Sequence, residues 1–232
     1  YDAVGEVVEV GSDVSAYKVG DKVWYAGDIT RPGTNSEYHL VDERIAGKAP
    51  QSLSDAEAAA VPLTAITAWE LLFDRLAIPQ GDQAANVRLL VIGAAGGVGS
   101  ILVQLASQLT NATVIGTASR PESQAWVKEN GADHVIDHSK SFAEELSRVG
   151  VENVTHVTAL TYTDQHYDKI IEAIAPQGKI ALIDDPVDGL DIMKLKQKSI
   201  SLHWELMFTR SMFQTEDIAA QAALLNKVSE LI

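Results

Sequence analysis

The stretch Arg88–Leu109, RLLVIGAAGGVGSILVQLASQL, constrains the fold of this chain more than any other. Leu89 to Ile92 is a short apolar run with branched side chains, the composition of a strand buried on both faces. Gly93 to Gly99 is a tight turn with four glycines. From Val98 the apolar residues recur at Ile101, Leu102, Leu105 and Leu109, which is helical spacing. Strand, glycine turn and helix together open a dinucleotide-binding βαβ unit. In such a unit one glycine permits the sharp turn, one lets a pyrophosphate approach the backbone, and one lets the helix pack on the strand. The phosphates then sit on the free N–H groups at the helix start. Of the pattern G-x-G-x-x-G, Ala94 stands at the first glycine, with Gly96 and Gly99 in place. The flanking strand and helix give this pattern its specificity.

From Arg88 onward, strands alternate with helices. Strands are expected at 112–117, 133–136, 154–160, 179–183 and 200–204, with helices at 121–130, 141–149, 167–174 and 215–232, the last capped by Thr215. That alternation predicts an α/β fold with a doubly wound parallel sheet. Before it, residues 3–10, 18–25 and 36–41 read as short strands divided by turns, part of a small antiparallel β domain. Ser54 with Glu57 three residues on is a capping box that opens a first helix. A second helical stretch runs from Thr64 to Leu76, ended by Pro79 and Gly81.

The chain has 232 residues, a formal charge of −14 and no cysteine. An acidic surface argues against nucleic acid and anionic membranes, because phosphate groups demand clustered Lys and Arg. The lack of cysteine removes disulfides, thiolate nucleophiles and thiolate zinc sites, and fits a cytoplasmic protein. No apolar run is long enough to span a bilayer. His134, His138, His156, His166 and His203 show no H-x-x-x-H helix with an intervening Glu, so no metal site is expected. Asp184, Asp185 and Asp188 read as exposed acids in a loop. The chain starts at Tyr1 without Met and ends inside a helical pattern, which reads as a fragment of a longer protein.

The end of the second strand decides which dinucleotide is accepted. An Asp or Glu there bonds the ribose 2′-hydroxyl of NAD and repels a 2′-phosphate. This chain has Thr117-Ala118-Ser119-Arg120, with no acid. Arg120 can pair with a phosphate bidentately and Ser119 can donate to it, so NADP(H) is favoured over NAD.

Several further strings resemble the medium-chain dehydrogenase/reductase superfamily: VGEVVEVGSDV, KVGDKVW, EAAAVPLTAITAWELL, VIGAAGGVGSILVQLA and PQGKIALID. Within it the chain is similar to the zinc-independent quinone oxidoreductase branch, and to its zinc-type alcohol dehydrogenase-like members through DITRPGTNSEYHLVDER, TASRPES and SISLHWELMFTRSMFQTEDI. The resemblance covers essentially the whole chain. It implies a partial GroES-like catalytic domain at 1–55, a Rossmann domain at 56–214, and a C-terminal helix at 215–232 leading back to the catalytic domain, with the active site in the cleft between the domains. It implies that Thr64 faces the nicotinamide side of the cofactor and that Gly96, Gly97, Val98 and Gly99 line the pyrophosphate. It implies that Ser119 and Arg120 meet the 2′-phosphate, and that Ile183, Asp184, Met207 and Phe208 lie near the nicotinamide. Asp184 departs from the small residue usual there. The last cysteine ligand of zinc-dependent relatives falls at Ala60, and alanine has no lone pair to offer, so no zinc is expected. Ser199 to Glu205 is the candidate edge for a homodimer.

The activity so implied is NADPH-dependent hydride transfer to a small molecule: a quinone, an enone or another carbonyl. No catalytic residue can be named from this stretch. The rival is a sensor or structural module that keeps the cofactor fold without turnover.

Overall fold

A computed structural model describes residues 1–232. In chain order the strands are β1 (Ala3–Glu6), β2 (Lys22–Tyr25), β3 (Gly47–Lys48), β4 (Arg88–Ile92), β5 (Thr113–Thr117), β6 (His134–Ile136), β7 (Val154–Ala159), β8 (Ile174–Leu182) and β9 (Ser201–Trp204). The helices are α1 (Asp55–Ala59), α2 (Pro62–Trp69), α3 (Gly97–Leu109), α4 (Pro121–Glu129), α5 (Phe142–Arg148), α6 (Thr163–Ala173), α7 (Met193–Lys196), α8 (Thr209–Phe213) and α9 (Ala220–Leu231). α2 runs on into a π-helical segment over Glu70–Arg75. No helix is long and apolar enough to cross a membrane.

Contacts divide the chain into two compact units, Ala68–Glu205 and Tyr1–Thr67 with Leu206–Ile232. The breaks fall at 67/68 and 205/206, within α2 and just after β9, where the sequence placed them at 55/56 and 214/215.

The Ala68–Glu205 unit holds a six-stranded sheet in the order β6-β5-β4-β7-β8-β9, with every pair parallel. This is the order of a doubly wound dinucleotide-binding sheet, with the switch between β4 and β7. Four of the five β4 residues are buried, as two covered faces require. On one face Leu90, Ile92, Ile115, Val157, Ile180 and Leu182 pack with Phe142 and Leu146 of α5 and Ile170 of α6. On the other, α3 packs on β4 and β5, and α4 on β5 and β6.

The other unit holds a three-stranded antiparallel sheet, β1-β2-β3. Ser54 caps α1 as expected: its side chain accepts from Glu57 N while the Glu57 carboxylate reaches back to Ser54 N. Two expectations fail in this unit. Residues 36–41 form no strand. The Ser36 hydroxyl turns back to Tyr38 O at 2.8 Å, His39 is taken up by Tyr25 and Pro32, and Tyr38 and Leu40 are both exposed, so the alternation buries no face. The last helix begins at Ala220, not Thr215. Thr215 Oγ1 donates to the Asp217 carboxylate at 2.7 Å, which also holds Arg210, and residues 216–219 stay in turns.

Smaller differences also have local causes. β1 stops at Glu6, leaving Val8 and Val10 exposed. α6 starts at Thr163, four residues before the expected Tyr167. β8 starts at Ile174 and carries Pro176 and Gly178, which the sequence suggested as helix stops. Its register with β7 shifts between Val154 and His156, and that irregularity accommodates them. α7 and α8, four and five residues long, were not anticipated.

Candidate functional site

β4 ends in the glycine turn. Gly93 has φ +81°, a left-handed conformation that glycine takes without a Cβ clash. Gly99 lies where α3 crosses the turn. A Cβ there would sit 2.7 Å from Ala94 Cα and closer still to Gly93 O, so only glycine allows this approach. Gly96 is the N-cap of α3 and has no side chain with which to cap it. The first intrahelical bond of α3 is Ser100 N to Gly96 O at 2.8 Å. The N–H groups of Gly97, Val98 and Gly99 therefore head the helix without intrahelical acceptors, as at any helix start.

These residues form one wall of a cavity of about 590 Å³ at the carboxyl ends of the strands. The turn contributes Gly93, Ala95, Gly96, Gly97, Val98 and Gly99; the end of β5 contributes Thr117, Ala118, Ser119 and Arg120; Leu160, Thr161 and Ile183 follow β7 and β8. A crevice outside the strand ends at the switch point is where ligands bind in such sheets. Ser119 and Arg120 are exposed at its rim. The Arg120 guanidinium has no carboxylate partner, and its recorded bond is a long one of 3.4 Å to Ser123 Oγ. A cation so placed, beside an open helix N-terminus, favours an anion.

A second cavity, about 450 Å³, shares Gly93, Thr117, His138 and Thr161 with the first and adds Tyr162, Gln165, His166 and Lys169. Lys169 Nζ donates to His138 O at 2.9 Å, and the His138 and His166 rings lie 5.8 Å apart. Burial, with Lys169 and His138 nearby, lowers the His166 pKa from its ordinary value. Sequence reading missed Leu160, Thr161, Ser123 and His138 as wall residues. The ends of β6 and β7 carried a usable signal, since ligands bind outside the carboxyl ends of the strands near the switch point.

The expected site residues do not all gather here. Gly96, Gly97, Val98, Gly99, Ser119, Arg120 and Ile183 line the first cavity. Asp184 lines neither cavity: its carboxylate accepts from Thr163 N at 2.9 Å and from Thr163 Oγ1. Thr64, Met207 and Phe208 belong to the other unit. There the Thr64 hydroxyl donates to Val61 O at 2.8 Å, and the buried Phe208 ring packs edge-on to Tyr1 at 5.9 Å. His156 lies in β7 away from either cavity wall, and burial beside Lys179 pushes its pKa down to about 4. No three His, Asp or Glu side chains converge as a group able to hold a metal ion.

Residues 97–226 match the protein family described as zinc-binding dehydrogenase. The chain is 38% identical over 233 residues to a zinc-type alcohol dehydrogenase-like protein of Staphylococcus aureus, covering 100% of this chain and 69% of that protein. Its fold matches a Rhizobium etli protein, described as a candidate zinc-dependent alcohol dehydrogenase, with a TM-score of 0.94 and 55% identity, covering 100% of this chain and 67% of that one. It also matches an Escherichia coli quinone oxidoreductase solved with NADPH, with a TM-score of 0.80 and 27% identity, covering 100% of this chain and 69% of that one.

Proposed function

Because the chain belongs to the medium-chain dehydrogenase/reductase superfamily, within its zinc-binding dehydrogenase family, we propose that it is an NADPH-dependent oxidoreductase that reduces a quinone, an enone or another activated carbonyl without zinc. That it is an oxidoreductase of this superfamily follows from the relatives. Arg120 carries the choice of NADPH: a guanidinium without a carboxylate partner at the cavity rim, beside Ser119, at a strand end with no acid. The likeness to a quinone oxidoreductase solved with NADPH supports the same choice.

The residues present fit such a dinucleotide. The N–H groups of Gly97, Val98 and Gly99 would hold its pyrophosphate, where Gly96 leaves room for the phosphate oxygens. Ser119 and Arg120 would hold the 2′-phosphate. Ile183 lines the cavity with an apolar side chain. When bound, the cofactor supplies the hydride, and the protein supplies orientation and electrostatics. Zinc does not fit in the same way. The chain has no cysteine, Ala60 occupies the ligand position that the resemblance marks, and no donor cluster gathers. In this reading the developing oxyanion is met by hydrogen-bond donors or water.

An exposed sheet edge supports a homodimer. β9 pairs only with β8, and Trp204 at its end is 53% exposed. An uncovered edge of this kind is open to pairing with a second copy.

The test is NADPH oxidation in the presence of a quinone and of an enone, followed through the nicotinamide chromophore. Turnover with either acceptor supports the proposal. NADPH binding without turnover on any acceptor would favour a sensor or structural module.

A further inference from the structure

The start of α6 lacks two things that a helix start normally has. Its N-cap residue, Tyr162, lies in the left-handed region (φ 52°, ψ 40°) and makes no side-chain cap. A bulky aromatic residue seldom adopts that conformation, because its Cβ crowds the following carbonyl. A helix start without a cap also leaves backbone donors unmet. Asp184, two residues past the end of β8, answers both. One carboxylate oxygen accepts from Thr163 N at 2.9 Å and the other from Thr163 Oγ1. Thr163 is fully buried and Asp184 half-buried. The cap thus comes from 21 residues away in sequence, from the end of the neighbouring strand.

The segment held in this way walls both cavities. Thr161 lines the two of them. Tyr162 lines the second while 61% exposed, and Gln165, His166 and Lys169 line it from the first turns of α6. Glycine at 162 would take a positive φ unaided, but tyrosine requires its neighbours to hold it there.

We propose that Asp184 is a positioning residue for dinucleotide binding, clamping the start of α6 so that Thr161 keeps its place in the wall of the first cavity. This rests on reading the first cavity as the dinucleotide site. It gives Asp184 a different place from the one beside the nicotinamide that the family resemblance implies.

The test is a double-substitution cycle with Asp184→Ala, Tyr162→Gly and the pair. The readouts are Kd for NADPH and for NADH, the thermal midpoint, and amide hydrogen exchange at residues 163–166 without ligand. Asp184→Ala is expected to speed that exchange about tenfold while the chain stays folded, as local opening does. It is expected to weaken NADPH and NADH by the same factor, and Asp184→Asn, which keeps an acceptor oxygen, recovers part of the loss. In the Tyr162→Gly background the loss of Asp184 matters clearly less, since contacting residues couple. Unchanged exchange, or an equal loss in both backgrounds, overturns the clamp. Faster exchange with unchanged Kd values overturns its role in binding. Arg120→Ala, expected to weaken NADPH alone, tests the cofactor reading separately, and a chain that binds neither dinucleotide overturns both.

Discussion

Two turns at the carboxyl ends of adjacent strands line the same cavity by different means. The turn after β4, Gly93 to Gly99, is specified by what is missing: Cβ atoms at Gly96 and Gly99 and a side-chain cap on α3. The turn after β5, Thr117 to Arg120, is specified by side chains that are present, a hydroxyl and a guanidinium without a carboxylate partner. In the proposed function the first would recognise what every dinucleotide has, its pyrophosphate, and the second what only some have, a 2′-phosphate. Backbone-built recognition is therefore general and rigid, whereas side-chain-built recognition is selective and can be altered without disturbing the fold.

The largest effect should come from Gly99→Ala. The added Cβ meets the backbone of Gly93 and Ala94, so α3 must move off β4, at a cost of about 3 kcal/mol or more. Thermal unfolding should show a clear drop, with binding lost as a consequence. Gly96→Ser separates folding from recognition. Its Cβ meets only Gly93 O, at 3.3 Å, and its hydroxyl can cap α3. Stability should stay within about 1 kcal/mol of the starting chain. NADPH and NADH should both weaken about a hundredfold, as expected for losing one or two charge-assisted bonds. If Gly96→Ser left binding intact, the backbone half of the comparison would fail.

Arg120→Ala should act only on the second turn. NADPH should weaken roughly tenfold, NADH should not change, and the thermal midpoint should hold, because an exposed guanidinium contributes to phosphate affinity rather than to packing. Equal losses for both dinucleotides would break the contrast between the two turns.

The smallest effect concerns the loop that carries His138. The Glu145 carboxylate accepts from Arg148 and from Asp137 N, and Asp137 in turn accepts from Ser139. The Arg148 bond first, then that backbone bond, hold Glu145 below its ordinary value of 4.5. A depressed folded value means that this contribution is complete above the ordinary value and is lost as pH falls through the folded one. Glu145→Gln should therefore flatten the acid limb of a stability–pH curve below about that point and leave neutral-pH binding as it was.

The parallel sheet was legible because local and global signals agree there. β4 reads as a continuous apolar run, β5 is followed by a helix that opens on Pro121, and β6 by one that Ser141 caps. The phosphate end of the cavity was legible because a positive φ at Gly93 and the close approach of α3 to the turn at Gly99 both call for glycine. The β-rich unit was harder. Residues 36–41 alternate like a strand, but alternation says nothing about whether a partner strand is present, and here local bonds from Ser36 and His39 prevail. Thr215 looks like a cap, yet its hydroxyl is drawn to Asp217 by an arrangement that includes Arg210. The role of Asp184 was hidden because its partner, Thr163, lies 21 residues away and shows no motif.

The most direct measurement is a fluorescence titration of this chain with NADPH and with NADH, the tryptophans and the reduced nicotinamide serving as reporters. The account predicts saturable binding of both, with NADPH tighter by about tenfold, the worth of one added charge-assisted contact. NADH binding as tightly as NADPH, or more tightly, would contradict the place given to Arg120.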